Sequence, residues 1–261
     1  IFHSPFYFRH CSMLAMLLGA EHCLASPASA SSFRSAGTRG QLRSIRDCMP
    51  VDRHPILVIR MSFQNAFCMV RPPGHHAERH RAMGFCFFGN VAAGIAHARD
   101  VHRIKRVAVL DFDVHHGNGS QDLLWDDTDA LFISIHESPL YPGTGMVEET
   151  GVSDNVLNLP VPAGTRGVEI VDLIDSVVVP RLKKWDPEIL FISAGFDAHI
   201  EDPLGNLSMT TEDYGNITHS VLAATVARAG SSTRGCVSCL EGGYNLDALT
   251  DSVISHIDAL V

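Results

Sequence analysis

Short apolar runs alternate with helical patterns along the chain from residue 66 onward. The apolar runs predict buried strands at 66–70, 107–110, 131–135, 189–193 and 236–240. Between them, apolar residues recur at helical spacing over 90–101, 167–185 and 210–229. Because short apolar strands that alternate with helices form parallel sheets with helices on both faces, the pattern predicts an α/β fold.

Individual residues mark where the predicted helices begin and bend. Thr210 and Asp213 have the spacing of a capping box, which favours a helix start at this point. Asn245 can cap a final helix through its side chain. Pro180 should bend the helix over 167–185 or mark its last turn.

Residues 1–62 show no clear periodicity. An apolar run at 13–20 is typical of a signal-peptide core, whereas the Ser- and Arg-rich, acid-poor stretch 26–46 is typical of a transit peptide. We predict a poorly ordered or truncated leader over 1–62 and one folded domain over 63–261. No apolar run is long enough to predict a membrane span.

Composition and charge narrow the function classes. With 261 residues and 46% hydrophobic content, the chain is long enough for a single α/β domain. The net charge is −9 without a basic cluster, which argues against direct nucleic-acid binding and permits a basic peptide substrate. The seven scattered Cys favour a reducing compartment (nucleus, cytoplasm or an organelle) over a disulfide framework. Cys236 and Cys239 should face opposite sides of a strand, so we do not expect them to share a metal.

Polar side chains follow the predicted strands, at the points where the strands end. These residues are His75, His76, Asp111, Asp113, His115, His136, Asp197 and Tyr244. In open α/β sheets the ligand crevice lies at the carboxyl ends of the strands, so we expect all five loops to meet in one site.

Two acids and one imidazole in this set suit a divalent transition metal. Asp113 and His115 are two residues apart, so their side chains point the same way from an extended segment, and Asp197 can supply a third ligand. Three protein ligands leave one position open, as a catalytic metal requires, and the metal would polarise a carbonyl and activate water. Zinc and ferrous iron both fit the ligand set. An isolated Asp-x-His pair is more often a solvated strand end.

The neighbouring polar residues suit acid/base chemistry. The paired imidazoles of His75 and His76 can take a proton from water and return one to a leaving amine. Asp111 and Asn118 are the right residue types to fix their tautomers. Tyr244 follows two glycines, and its phenol can stabilise an oxyanion.

Five segments of the chain closely resemble the zinc-dependent histone deacetylase family, in particular its class II and bacterial deacetylase-like branch. They are Arg-Pro-Pro-Gly-His-His-Ala at 71–77, Gly-Phe-Cys at 84–86, Asp-Phe-Asp-Val-His-His-Gly-Asn-Gly at 111–119, Ser-Ala-Gly-Phe-Asp at 193–197 and Leu-Glu-Gly-Gly-Tyr-Asn at 240–245. The resemblance covers about residues 65–261 and makes 63–261 a deacetylase catalytic domain. It implies a three-layer arginase/deacetylase-like fold and the hydrolysis of N-acetyl-lysine amides in proteins.

The resemblance also implies a role for each matching residue. It implies zinc ligands at Asp113, His115 and Asp197, catalytic residues at His75, His76, Tyr244, Asp111 and Asn118, and a lysine channel lined by Gly84, Phe85, Tyr141, Leu204 and Gly243. Many members also bind potassium, and the matching positions are Asp111, Asp113, His115, Ser134 and Ile135. The implied partner is an acetylated protein or peptide, and the sequence leaves the oligomeric state open.

Three other functions stay open at this point. An acetylpolyamine amidohydrolase would use the same chemistry, but polyamine-selective relatives place a carboxylate where this chain has Leu204, which favours acetyl-lysine. A catalytically impaired homologue that binds acyl-lysine is the second, because residues 1–62 do not resemble the N-terminal segment of the family. An arginase-type two-metal site would need more clustered Asp ligands than the sequence offers.

Overall fold

A seven-stranded, mostly parallel sheet forms the centre of the fold in a computed structural model that describes residues 57–60, by backbone alone, and 65–261. The strands are β1 (Leu57–Arg60), β2 (Asn65–Met69), β3 (Val107–Asp111), β4 (Ala130–Glu137), β5 (Val156–Val161), β6 (Ile189–Ala194) and β7 (Cys236–Leu240). Their order across the sheet is β1-β2-β7-β6-β3-β4-β5. Strands β2 to β7 pair in parallel, and β1 pairs with β2 in antiparallel orientation.

Helices cover both faces of this sheet. They are α1 (Asn90–His102), α2 (Asn118–Leu124), α3 (Gly167–Leu173), α4 (Val179–Trp185), α5 (Thr211–Ala224) and α6 (Leu246–Leu260). Helices α1 and α2 pack on one face and α3 to α6 on the other. The predicted three-layer α/β architecture is therefore confirmed. In the part of the chain that the structure describes, no helix has both the length and the apolar character to cross a membrane.

The central strands send alternate side chains into two apolar cores. In β3, Val107 faces the core beneath α1, whereas Ala108 faces the core beneath α5 and α6. Because both faces are covered, every residue of β3 is buried and the strand is apolar without interruption as far as Leu110. Cys236 belongs to one core and Cys239 to the other, so the prediction that they face opposite sides is confirmed.

All five predicted strands are present, each within two residues of its expected bounds. The sequence did not predict β5 (Val156–Val161), which contains Asn158 and Pro160 and lies at one edge of the sheet. An edge strand has a neighbour on one side only. It tolerates a proline where the N–H group would point away from that neighbour, because no ladder hydrogen bond is lost there. β1 (Leu57–Arg60) lies within 1–62, where we predicted no ordered element, and it is too short to show periodicity. The rest of the predicted leader lies outside the described residues.

One predicted helix end differs from the structure. The capping box of Thr210 and Asp213 is present at the start of α5. The helix ends at Ala224 instead of about residue 229, because the Thr225 hydroxyl donates to the Val221 carbonyl and the Thr225 backbone leaves the helical region.

The predicted helix over 167–185 changes its hydrogen-bonding pattern before Pro180. A π-helical turn, Ile174–Val178, separates α3 from α4, and the Val179 N–H donates to the Ile174 carbonyl five residues earlier. Pro180 then lies in the first turn of α4, where a missing N–H is tolerated. The sequence identified the irregularity at Pro180 but not its π-helical form.

Candidate active site

Five neighbouring strands run in parallel, so their carboxyl ends lie at the same end of the sheet. They are β2, β7, β6, β3 and β4. The loop after β2 carries His75 and His76, the loop after β7 carries Tyr244, and the loop after β6 carries Asp197. The sequence therefore folds so that residues far apart in the chain meet at one place.

Asp113, His115 and Asp197 form a group of candidate metal ligands. One ligand atom from each residue lies within 4.8 Å of the others. The His115 Nδ1 atom is 3.1 Å from Asp113 Oδ1 and 3.1 Å from Asp197 Oδ2. Both carboxylates are buried, whereas His115 is partly exposed, so the group is open towards solvent on the imidazole side.

Backbone N–H groups orient the two carboxylates. The Val114 N–H donates to Asp197 Oδ1 at 2.9 Å. The Gly242 N–H donates to Asp113 Oδ2 at 2.8 Å. These bonds hold one oxygen of each carboxylate and leave the other directed at His115, which is how outer hydrogen bonds orient metal ligands.

Two glycines leave the space that these carboxylates occupy. A Cβ atom at Gly195 would lie 2.2 Å from Asp113 Oδ2, and a Cβ atom at Gly242 would lie 2.2 Å from Asp197 Oδ2. Both distances are far shorter than van der Waals contact, so a side chain at either position would displace a carboxylate.

The charge of the group favours a bound cation. In 65–261, where side chains are described, Asp113 and Asp197 form ion pairs with histidines alone. Burial lowers the pKa of His115, but hydrogen bonds to both carboxylates outweigh this effect and raise the pKa to about 10. Burial and the charge of Asp113 raise the pKa of Asp197 to about 7. Two buried carboxylates therefore share a single imidazole, and a divalent cation would neutralise both, so the residues fit a metal ion.

His75 and His76 lie side by side next to this group. Their ring centroids are 4.0 Å apart. The His75 Nδ1 atom is 3.0 Å from Asp111 Oδ2, and the His76 Nδ1 atom is 2.7 Å from Asn118 Oδ1. Because each Nδ1 atom has an oxygen partner, the Nε2 atoms are left for other chemistry.

The two imidazoles have opposite pKa shifts. Burial by itself would lower the pKa of His75, but the charges of Asp113 and Asp111 outweigh it and hold the pKa well above its usual value. Burial and the neighbouring His75 lower the pKa of His76 to about 3. The pair therefore consists of one protonated and one neutral ring, which is the division of roles that acid/base catalysis uses.

Tyr244 lies at the mouth of the site as a neutral hydroxyl. Burial, together with the charges of Asp113 and Asp197, raises the pKa of the phenol, so the hydroxyl keeps its proton at neutral pH. Gly243 precedes it with φ +131°, a backbone conformation that L side chains rarely adopt. The turn that presents Tyr244 therefore depends on glycine.

Exposed apolar side chains surround the opening of the site. The Tyr141 ring centroid lies 5.1 Å from that of His76, and the Phe85 centroid lies 6.1 Å from that of Tyr244. Phe85 has φ +63°, a strained value for a residue other than glycine. Gly84 packs against the His76 ring, and Leu204 is 42% exposed.

Two of the five predicted potassium positions, Asp113 and His115, are also candidate metal ligands, and the other three lie on β3 and β4. Asp111 on β3 pairs in register with Ser134 on β4, and Ile135 follows Ser134 in the same strand. All three residues are buried. Potassium binding stays a prediction.

Sequence reasoning missed two buried acids that hold the loops of the site. Glu241 accepts the N–H groups of Gly74 at 2.6 Å and His75 at 3.1 Å, and burial raises its pKa to about 7. Asp202 accepts the N–H group of Tyr244 at 2.7 Å. Glu241 lies inside the segment 240–245, whereas Asp202 lies outside all five segments. The bonds that give the two acids this role join residues far apart in the chain, so local sequence carried no signal for either.

Comparisons with known proteins match this arrangement to one family. The family model described as Histone deacetylase domain matches residues 40–260. Histone deacetylase 14, chloroplastic, of Arabidopsis thaliana is 42% identical over 200 residues, which are 75% of this chain and 46% of that protein. A protein of Archaeoglobus fulgidus described as a probable deacetylase is 38% identical over 194 residues, which are 73% of this chain and 53% of that protein.

A solved structure shares the fold. The crystal structure of the HDA15 HD domain has a TM-score of 0.69 and 35% sequence identity to this chain, and the match covers 74% of this chain and 54% of that one. The chain spans about half the length of the curated relatives named above. The family model, the relatives and the shared fold agree, and the chain belongs to the histone deacetylase family.

Proposed function

We propose that this chain is a zinc-dependent deacetylase that hydrolyses the amide bond of N-acetyl-lysine in proteins. The observation that carries the proposal is the convergence of Asp113, His115 and Asp197, whose ligand atoms lie within 4.8 Å of one another. The histidine pair beside them and the membership of the histone deacetylase family both support it. An open metal site next to an acid/base pair suits the hydrolysis of an unactivated amide, because the metal can activate water and the pair can move the protons.

Asp113, His115 and Asp197 would hold the metal. When bound, zinc would polarise the acetyl carbonyl and make water more acidic. The set of two carboxylates and one imidazole also suits ferrous iron, so the identity of the metal is part of the test.

His75 and His76 would move the protons. With its lowered pKa, His76 is the ring that can accept a proton from the attacking water. With its raised pKa, His75 is the ring that carries a proton for the leaving amine. Asp111 and Asn118 hold the Nδ1 atoms of the two rings, which leaves both Nε2 atoms for these transfers.

The mouth of the site would select the substrate. Phe85, Tyr141 and Leu204 present apolar surface that suits the methylene groups of a lysine side chain. Leu204 offers no charge for the second ammonium group of a polyamine, which favours acetyl-lysine over an acetylpolyamine. The negative net charge of the chain favours substrates with basic flanking residues.

The proposal is tested by metal analysis and a substrate comparison on the purified protein. We expect about one equivalent of zinc per chain and faster turnover of an acetyl-lysine peptide than of acetylspermidine. A strong preference for acetylspermidine would make the chain a polyamine amidohydrolase. Bound metal without turnover of either substrate would instead favour an acyl-lysine-binding homologue.

Removing the metal should lower the thermal stability of the protein. His115 and Asp197 are 82 residues apart in the sequence, so the unfolded chain does not hold them together and the metal binds the folded state alone. We expect a chelator to lower the melting temperature by roughly 5–15 °C. Differential scanning fluorimetry with and without chelator, followed by readdition of zinc, measures the shift. An unchanged melting temperature in a chain shown to have lost its metal would contradict the site.

A further inference from the structure

The Tyr244 phenol is carried by a turn of two glycines, Gly242 and Gly243. Glycine backbones have more conformational freedom than any other, so the position of the phenol depends on what holds the two ends of the turn. At the first end, the Gly242 N–H donates to Asp113 Oδ2 at 2.8 Å. The Gly242 carbonyl accepts the Phe196 N–H at 2.9 Å. This end is therefore tied to a candidate metal ligand.

Asp202 holds the second end of the turn. Its Oδ2 atom accepts the N–H groups of Tyr244 at 2.7 Å and Asn245 at 3.3 Å. Its Oδ1 atom accepts the N–H group of Leu204 at 2.9 Å. Asp202 is 7% exposed, and a shielded carboxylate that accepts backbone N–H groups forms strong, charge-assisted hydrogen bonds.

The residue after Tyr244 strengthens this connection. The Asn245 Nδ2 group donates to the Glu201 carbonyl at 3.1 Å. The Asn245 Oδ1 atom accepts the N–H groups of Asp247 and Ala248 at the start of α6. The backbone on the far side of Tyr244 is therefore fixed both to the loop after β6 and to a helix.

We propose that Asp202 is a positioning residue that holds the Tyr244 phenol, and with it the channel residue Leu204, in place for catalysis. The inference rests on the proposed deacetylase function. Within the described residues, no hydrogen bond or ion pair joins Asp202 to Asp113, His115 or Asp197. Its contribution to the reaction therefore passes through the backbone of Tyr244.

Asp202→Asn in the metal-loaded protein tests this role. Both carboxylate oxygens accept N–H groups, so the amide NH₂ of Asn faces a donor in either orientation. We expect kcat for an acetyl-lysine peptide to fall about tenfold, as loss of a charge-assisted hydrogen bond predicts. We expect KM to change less than kcat and metal content to stay at the wild-type level. A wild-type kcat, or a loss of metal, would overturn the proposal.

A double-mutant cycle separates positioning from a general structural role. In a Tyr244→Phe background the hydroxyl that Asp202 positions is already gone, so Asp202→Asn should lower kcat by less than about twofold. The same tenfold loss in both backgrounds would show that Asp202 acts independently of Tyr244 and would overturn the proposal. If the metal-loaded wild-type chain fails to turn over acetyl-lysine at all, the proposed function is wrong, and the positioning role of Asp202 in that reaction is overturned with it.

Two further variants complete the experiment. Asp186→Asn is the matched control. Asp186 also accepts a backbone N–H group, that of Ser232, but it lies just before β6 at the amino ends of the strands. The kcat of this variant should equal that of the wild type. If Asp202→Asn fails to fold, Asp202→Ser takes its place in the cycle, since Ser keeps one oxygen acceptor in a smaller side chain.

Discussion

Tyr244→Phe is expected to lower turnover of an acetyl-lysine peptide by roughly a hundredfold or more, because loss of one oxyanion donor costs about this much in other hydrolases. The phenol is a competent donor because burial and the charges of Asp113 and Asp197 raise its pKa and keep it protonated. The substitution removes one oxygen and leaves all three candidate metal ligands in place, so metal content should not change.

Steady-state kinetics and metal analysis on the same preparation measure both parts of this expectation. Tyr214→Phe is the matched control. The Tyr214 ring is fully buried and, among the described residues, its hydroxyl has no hydrogen-bond partner, so its removal should leave turnover unchanged. Wild-type turnover in Tyr244→Phe would exclude the phenol from the mechanism.

Asp197→Ala is expected to abolish stoichiometric metal binding and, with it, deacetylation. Asp197 supplies one of two carboxylates in the candidate metal group, and its Oδ2 atom lies 3.1 Å from His115 Nδ1. Without it, Asp113 and His115 would remain as two ligands, one fewer than a catalytic zinc site uses. Mass spectrometry of the metal content after dialysis against zinc measures the loss.

Two companion variants make the result specific. Asp258→Ala removes an exposed acid from α6 and should keep full metal content. Asp197→Asn keeps the shape of the side chain with one oxygen and should bind zinc more weakly than the wild type. Full stoichiometric metal in Asp197→Ala would contradict the ligand assignment, whatever its activity.

The central strands and the residues at their ends could be predicted because each carries a local signal. β3 is covered on both faces, so its first four residues form an uninterrupted apolar run. Asp113 and His115 stand out because a carboxylate and an imidazole follow such a run directly. The same contrast between apolar strand and polar loop identified His75, His76 and Asp197.

The other features depend on contacts that local sequence does not show. Glu241 is recognisable as a loop anchor only through its bond to the Gly74 N–H, which lies 167 residues away in the sequence. The role of Asp202 likewise becomes visible only through its hydrogen bond to the Tyr244 N–H, which lies in the loop after the neighbouring strand. β5 contains Asn158 and Pro160, two residue types with low strand propensity. Its strand structure therefore depends on its pairing with β4.

The close fit of Gly195 and Gly242 against the ligand carboxylates bears on how divergent homologues are interpreted. A gene duplicate could retain both acids and the imidazole and still acquire alanine at one of these two positions. The added methyl group would push a carboxylate aside by more than thermal motion can absorb, because each Cβ atom would lie 2.2 Å from an oxygen. A comparison of the ligand residues alone would classify such a paralogue as an enzyme. The replacement of Gly195 or Gly242 would instead identify it as a protein that has lost its metal.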